Sequence, residues 1–223
     1  MHMERSGTGF AARGSWVWAF TAGSAVLALG LPGCASLEER RVARETREEQ
    51  QRILAEYEAF VASEGYAKNV YRNDNLLEEL KPEETEIVVS LSRQRALVMK
   101  GAQVALDTPV STGKRGHATP KGSYKVLAKS RMHRSNLYGA IYDAEGNLVT
   151  GGASTRVDAV PEGGRYVGTA MPYWMRLTPT GIGLHSGYVP SHPASHGCVR
   201  VPKGVQPIIY EKSEVGTPVR IED

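Results

Sequence analysis

The chain changes character at Thr85, and that change limits the fold more than any other feature of the sequence. From there to Asp223, apolar and polar residues alternate in steps of two, β-branched side chains are frequent, and Gly or Pro interrupts each short run. A period of two sends successive side chains to opposite faces, the pattern of strands rather than helices. Strands are predicted over 87–92 and 96–99, turning at Gly101 into a third over 103–111, with a fourth over 122–128. A hairpin is expected with its turn at Glu145-Gly146-Asn147, then shorter strands over 173–177, 181–185 and 217–221. After residue 85 only 205–212 reads as helix. The fold class is therefore mostly β with a minor helical part, a sandwich or barrel-like domain over 85–223 with no internal repeat.

Upstream the pattern is different. Residues 37–64 hold neither Gly nor Pro and alternate Glu with Arg in blocks, which predicts a helix. Glu48 and Arg52 stand four apart in the favourable order. The first half has almost no apolar stripe and reads as a solvated stalk. The second half carries Ile53, Leu54, Tyr57, Phe60 and Val61 at helical spacing, a face expected to dock on the domain that follows. Residues 66–84 are polar and turn-rich and read as a linker, which gives a plan of stalk (35–65), linker (66–84) and β domain (85–223).

The first 34 residues form a leader. Arg5 and Arg13 supply positive charge, and an uncharged apolar stretch follows over 16–31. That stretch is shorter than the ~20 residues a bilayer span needs, which favours an export signal over a transmembrane helix. Leu31-Pro32-Gly33-Cys34 resembles the lipobox of bacterial lipoproteins, in which the cysteine is lipidated and becomes the mature N-terminus. An ordinary secretory signal and an uncleaved anchor are the competing readings. The resemblance implies an exported, periplasmic protein held to a membrane by lipid. The absence of Asp after Cys34 points to the outer rather than the inner membrane.

A net charge of +3 and an aromatic content of 7% offer no basic, aromatic-lined surface, so nucleic acid is excluded as a partner. Of the two cysteines, Cys34 and Cys198, each has its own use, and no disulfide is expected. Cys198 lies in Ser195-His196-Gly197-Cys198-Val199-Arg200. A cysteine attacks a carbonyl as thiolate and needs a base or a positive environment to become one. His196 stands two residues before it, where a side chain can point to the opposite side of a loop. His185, at the end of a predicted strand, can reach across and is the better general base. Gly197 lets the backbone approach closely, and amides at Gly197 and Cys198 could bind a developing oxyanion. His185, His192, His196 and Cys198 could in principle ligate zinc, but their spacing fits no familiar site, so no metal and no cofactor are expected. His117 reads as a solvated turn residue.

These residues resemble the L,D-transpeptidase catalytic domain, also called the YkuD domain, over roughly residues 86–222. The signature is a histidine, here His185 followed by Ser186, then Ser/Thr-His-Gly-Cys, an aliphatic residue and Asn or Arg, here 195–200. Ser111-Thr112-Gly113-Lys114 and Thr119-Pro120-Lys121-Gly122 match two further stretches of the family in the same order. The resemblance implies that Cys198 is the nucleophile, that His185 is its base, and that the Ser186 carbonyl fixes the tautomer of His185. It implies supporting roles for Ser195 and His196, and a substrate carboxylate for Arg200. It places a variable lid over 130–172, with Tyr173 or Trp174 either stacking on substrate or filling the core. The implied partners are peptidoglycan stem peptides, and carbapenems as covalent inhibitors of Cys198. The implied reaction is acyl transfer in cell-wall synthesis, with an L,D-carboxypeptidase, a wall-peptide amidase or a non-catalytic wall-binding lipoprotein as alternatives.

Overall fold

The run Ile87-Val88-Val89 is apolar on both faces of one strand, which suits a strand covered from both sides. In the computed structural model, which describes residues 36–223, both sides are covered. The leader and Cys34 lie outside the described residues. Helix α1 (Leu37–Ala62) leads to strand β1 (Tyr71–Arg72), helix α2 (Asp74–Glu79) and a 3-10 turn at Pro82–Glu84. Strands β2 (Thr85–Ser90), β3 (Arg95–Lys100), β4 (Gln103–Pro109) and β5 (Gly122–Lys125) follow. Then come β6 (Ala128–Tyr142), β7 (Leu148–Ser154), β8 (Arg165–Arg176), β9 (Gly183–Ser186), β10 (Val199–Val201), helix α3 (Gln206–Glu211) and β11 (Pro218–Glu222). The mostly β expectation holds.

The strands form two sheets, a six-stranded one in the order β1-β4-β3-β2-β11-β5 and a five-stranded one in the order β10-β9-β8-β6-β7. The first is mixed, because β11 enters parallel to β2 and antiparallel to β5. Ile87, Val89, Val98 and Leu106 from the first sheet meet Met175, Leu184, Val199 and Val201 from the second in one core. At about 1.5–3 kcal/mol for each fully buried side chain of this size, this contact is the main driving force of the fold. Val88, Leu97 and Val104 point the other way, where Tyr71, Tyr57 and Phe60 cover them.

Two compact units divide the chain after Glu45. The described part of the first is helical and fully exposed, with Arg41 paired to Glu38 at 2.7 Å. Within the second, the apolar half of α1 docks as expected through Tyr57 and Phe60, while Leu54 stays half exposed. No helix among the described residues is long and apolar enough to cross a membrane.

Residues 66–84 are not a linker in structural terms. Tyr71, Leu76, Leu77 and Leu80 are buried, and Asn73 caps α2 by accepting the Leu76 N–H at 2.9 Å. What fixes the segment is an ion pair. The side chains of Arg95 and Asp107 are both 0% exposed, and Arg95 Nε donates to Asp107 Oδ1 at 2.8 Å. The guanidinium also donates to the Tyr66 carbonyl (2.7 Å) and the Asn69 carbonyl (3.0 Å), and the Tyr57 hydroxyl donates to Asp107 Oδ2 at 2.9 Å. A buried ion pair is tolerable only when its remaining donors and acceptors are satisfied, and here they are. Burial, reinforced by the Asp107 charge, pushes the Tyr57 hydroxyl far above the usual phenol range. Asp107→Ala leaves the guanidinium buried without a counter-charge and should cost about 3–5 kcal/mol in urea unfolding. A loss below about 1 kcal/mol, the level of an exposed pair, would show that this node is not needed.

Candidate active site

Strands β9 and β10 run parallel, with Leu184 opposite Val199, His185 opposite Arg200 and Ser186 opposite Val201. Leu184, Val199 and Val201 are all 0% exposed in the core. Alternation then turns His185 and Arg200 to the other face, and Cys198 stands in the bend just before β10 with its Sγ 3.7 Å from the Gly181 carbonyl, just before β9. On β8, Met175 pairs with Leu184 and is buried in the core, so Trp174 is turned to the face that carries His185. One sheet register therefore assembles the predicted nucleophile, the predicted base and the predicted cation.

The Nδ1 of His185 lies 2.9 Å from the Ser186 carbonyl. A carbonyl can only accept, so Nδ1 carries the hydrogen and Nε2 keeps its lone pair. This is the orientation expected from the sequence. Burial pushes the imidazole down to about 4, against the Ser186 carbonyl, which favours the charged form; the Arg200 and His133 charges push it down further. Cys198 is a free thiol whose Sγ donates to the Gly181 carbonyl at 3.7 Å. Burial pushes this thiol up, while the Gly183 backbone and the Arg200 charge draw it back. Both shifts disfavour an ion pair, so the resting state is neutral thiol beside neutral imidazole. Arg200 is half-buried, its stem packs over Gly187, and no ion pair engages it among the described residues.

The loop before Cys198 is held from beneath. Gly197 has φ +112, a conformation that needs glycine. Ser195 is 1% exposed; its hydroxyl donates to the Cys198 carbonyl and accepts the Gly197 N–H at 3.1 Å. That engages the Gly197 amide, so Gly197 serves the loop rather than an oxyanion. The upstream stretches 111–114 and 119–122 supply the scaffold. Ser111 and Arg200 exchange both backbone hydrogen bonds at 2.9 Å. Thr112 O accepts from the Ala194 and Ser195 amides, and Ser195 O accepts from Lys114 N–H, all at 3.0 Å. The Thr119 hydroxyl donates to the Gly197 carbonyl and accepts the Gly113 N–H, both at 2.8 Å.

Strand β6 brings in residues that the sequence did not single out. Most of the region expected to be a lid is sheet, joined by turns over 143–147 and 155–164: β6 pairs with β7 on one side and β8 on the other. Its register shifts between Arg134 and Gly139, and from this irregular stretch Tyr138 stacks on His196, ring centroids 4.3 Å apart. His117 is exposed as expected of a turn residue, yet its ring meets His196 edge-on at 4.7 Å. Trp174 is 4% exposed and its centroid lies 6.2 Å from that of His185, so it lines the site. Tyr173 does not: its ring packs against Tyr210 at 5.5 Å on the core side.

Comparison with known proteins identifies the family. The family model for the L,D-transpeptidase catalytic domain (YkuD) matches residues 84–221, and the chain belongs to that family. No curated protein matches. Among solved structures, the L,D-transpeptidase from Mycobacterium smegmatis is 22% identical with a TM-score of 0.47, covering 63% of this chain and 59% of that one. An L,D-transpeptidase from Xylanimonas cellulosilytica is 20% identical with a TM-score of 0.46, covering 61% and 59%. An LD transpeptidase in complex with imipenem is 21% identical with a TM-score of 0.47, covering 62% and 58%. The match therefore spans about three-fifths of each of these chains.

An imidazole acts as a general base only when neutral, so if His185 serves as one, kcat/KM should stay level through the ordinary imidazole range and fall only as the pH approaches about 4. A pH–rate profile in which half the activity is lost near the free-imidazole value, with the fold intact by circular dichroism, would contradict the buried, neutral base.

Proposed function

We propose that the protein is a peptidoglycan L,D-transpeptidase that works by cysteine acyl transfer. The observation that carries this reading is the Ser186-fixed tautomer of His185, opposite an Arg200 that no ion pair engages among the described residues, with Cys198 two positions before that arginine. A donor stem tetrapeptide binds with its terminal D-Ala carboxylate near Arg200. His185 Nε2 takes the thiol proton as Sγ bonds to the carbonyl carbon of the third residue. The Cys198 amide is the donor for the resulting oxyanion, since the Gly197 amide is engaged. The C–N bond to D-Ala breaks, His185 returns the proton to the leaving amine, and a thioester remains on Cys198. An acceptor amine, on a neighbouring stem or a protein lysine, then attacks the thioester. It loses its proton to His185, and the thiol is restored as the C–S bond breaks.

A β-lactam carbonyl offers the same electrophile: its ring C–N bond breaks, the amine takes up the thiol's proton and stays tethered to the adduct, so a carbapenem is the inhibitor class expected at Cys198. Export, lipid attachment at Cys34 and a periplasmic position belong to the same proposal: α1 would hold the catalytic domain away from the membrane and near the wall. Cys34→Ser should then release the protein from membranes, and continued retention would point to an uncleaved anchor.

The direct test incubates the protein with disaccharide-tetrapeptide and reads the products by mass. Cross-linked dimer supports the transpeptidase, whereas tripeptide alone would make the enzyme an L,D-carboxypeptidase. Cys198→Ala should abolish turnover while changing stability little. Continued turnover by that variant would overturn the nucleophile assignment.

A further inference from the structure

Strand β6 touches the site twice, and one of those contacts has no part in the chemistry above. The imidazole of His133 lies over the indole of Trp174 with centroids 5.0 Å apart and planes 12° apart. The same indole flanks His185 at 6.2 Å, and its six-membered ring lies so close to Gly183 that a Cβ there would approach within 2.9 Å. The Gly183 backbone also draws the Cys198 thiol down toward its anion. His133 stands opposite Met171, and the φ of +54 at Tyr173 interrupts the pleat between Met171 and Trp174. That interruption brings a strand neighbour of Met171 onto the face of Trp174. Three rings, His133, Trp174 and His185, thus connect β6 to the base.

We propose that His133 is a positioning residue for His185: stacked on Trp174, it pins the indole against the catalytic imidazole and Gly183 and keeps water from the base. The inference rests on His185 being the base of the proposed reaction. Trp174 alone cannot do this, because a ring packed from one side can rock, and each such movement admits water to His185. Charged and titratable groups facing His185 are Arg200 from β10, the neutral Cys198 thiol just before it and His133 from β6; those facing His133 are Arg176 from β8 and His185 from β9. Loss of the stack should let the base titrate closer to free imidazole. Protonation of His133 should add a positive charge that opposes charging of His185.

The test uses the full chain with Trp16→Phe and Trp18→Phe, which leaves Trp174 as the only tryptophan. His133→Ala removes the stack, whereas His133→Phe keeps a ring in place but cannot titrate. Three readouts are taken against pH: the His185 ring resonances by NMR, the Trp174 emission, and the rate of acylation by imipenem. His133→Ala should raise the His185 midpoint by about one unit or more and slow acylation about tenfold at saturating imipenem. His133→Phe loses only the charge, so it should raise the midpoint clearly less than His133→Ala does and retain most of the rate. The parent alone should show an acid quenching step in Trp174 emission, from the protonated imidazole stacked on the indole. An unchanged His185 midpoint in His133→Ala, or a shift in His133→Phe as large as in His133→Ala, would overturn the proposal. The NMR and emission titrations need no turnover. If imipenem fails to acylate the parent, the acyl-transfer reading fails while the hold of His133 on His185 is still measured.

Discussion

The parallel pairing of β9 with β10 is the constraint on which the site depends. It sets His185 beside Arg200, and core burial of Leu184, Val199 and Val201 decides which way both must face. A slip of one residue would send His185 into the core and a valine into the cleft. The register is secured from outside the pair, since Ser111, just past β4, exchanges two backbone hydrogen bonds with Arg200. The two sheets therefore share more than an apolar interface. Their join is also the floor of the site.

Electrostatics follow from that burial. Burial pushes the thiol up and the imidazole down, so both groups are neutral at rest. Such a site avoids carrying an exposed thiolate, which oxidises readily. Arg200 lowers both groups, drawing the thiol back toward its anion while disfavouring the imidazolium. The loop residues Ser195, Gly197 and Thr119 contribute position rather than charge.

Much of this could be read from the sequence, and the exceptions have physical causes. Cys198, His185 and Ser186 were legible as candidates because they occupy short, ordered motifs, and the structure holds the His185–Ser186 contact that the motif implies. The strands 87–92 and 96–99 were legible from their β-branched runs. Arg95 and Asp107 were not, because charged residues ordinarily read as surface and nothing local announces a partner twelve residues away in an adjacent strand. Residues 66–84 looked like a linker because their apolar content is concentrated in Leu76, Leu77 and Leu80; the signal that could have found α2 is Asn73 at its cap. Strand β6 was hidden by polar residues that face solvent along much of its length. His133 and Tyr138 act through tertiary stacking that no spacing encodes. The stalk was read correctly at its docking end, where Tyr57 and Phe60 supply a face.

The central claim is that the sheet register makes Cys198, and no other residue, the acylated nucleophile. It is tested most directly by treating the protein with imipenem, weighing the intact chain and mapping the modified peptide. One adduct per chain on the peptide containing Cys198, lost in His185→Gln at a pH where the thiol is protonated, is the result this account predicts. An adduct on any other residue, or equal acylation without the imidazole, would contradict it.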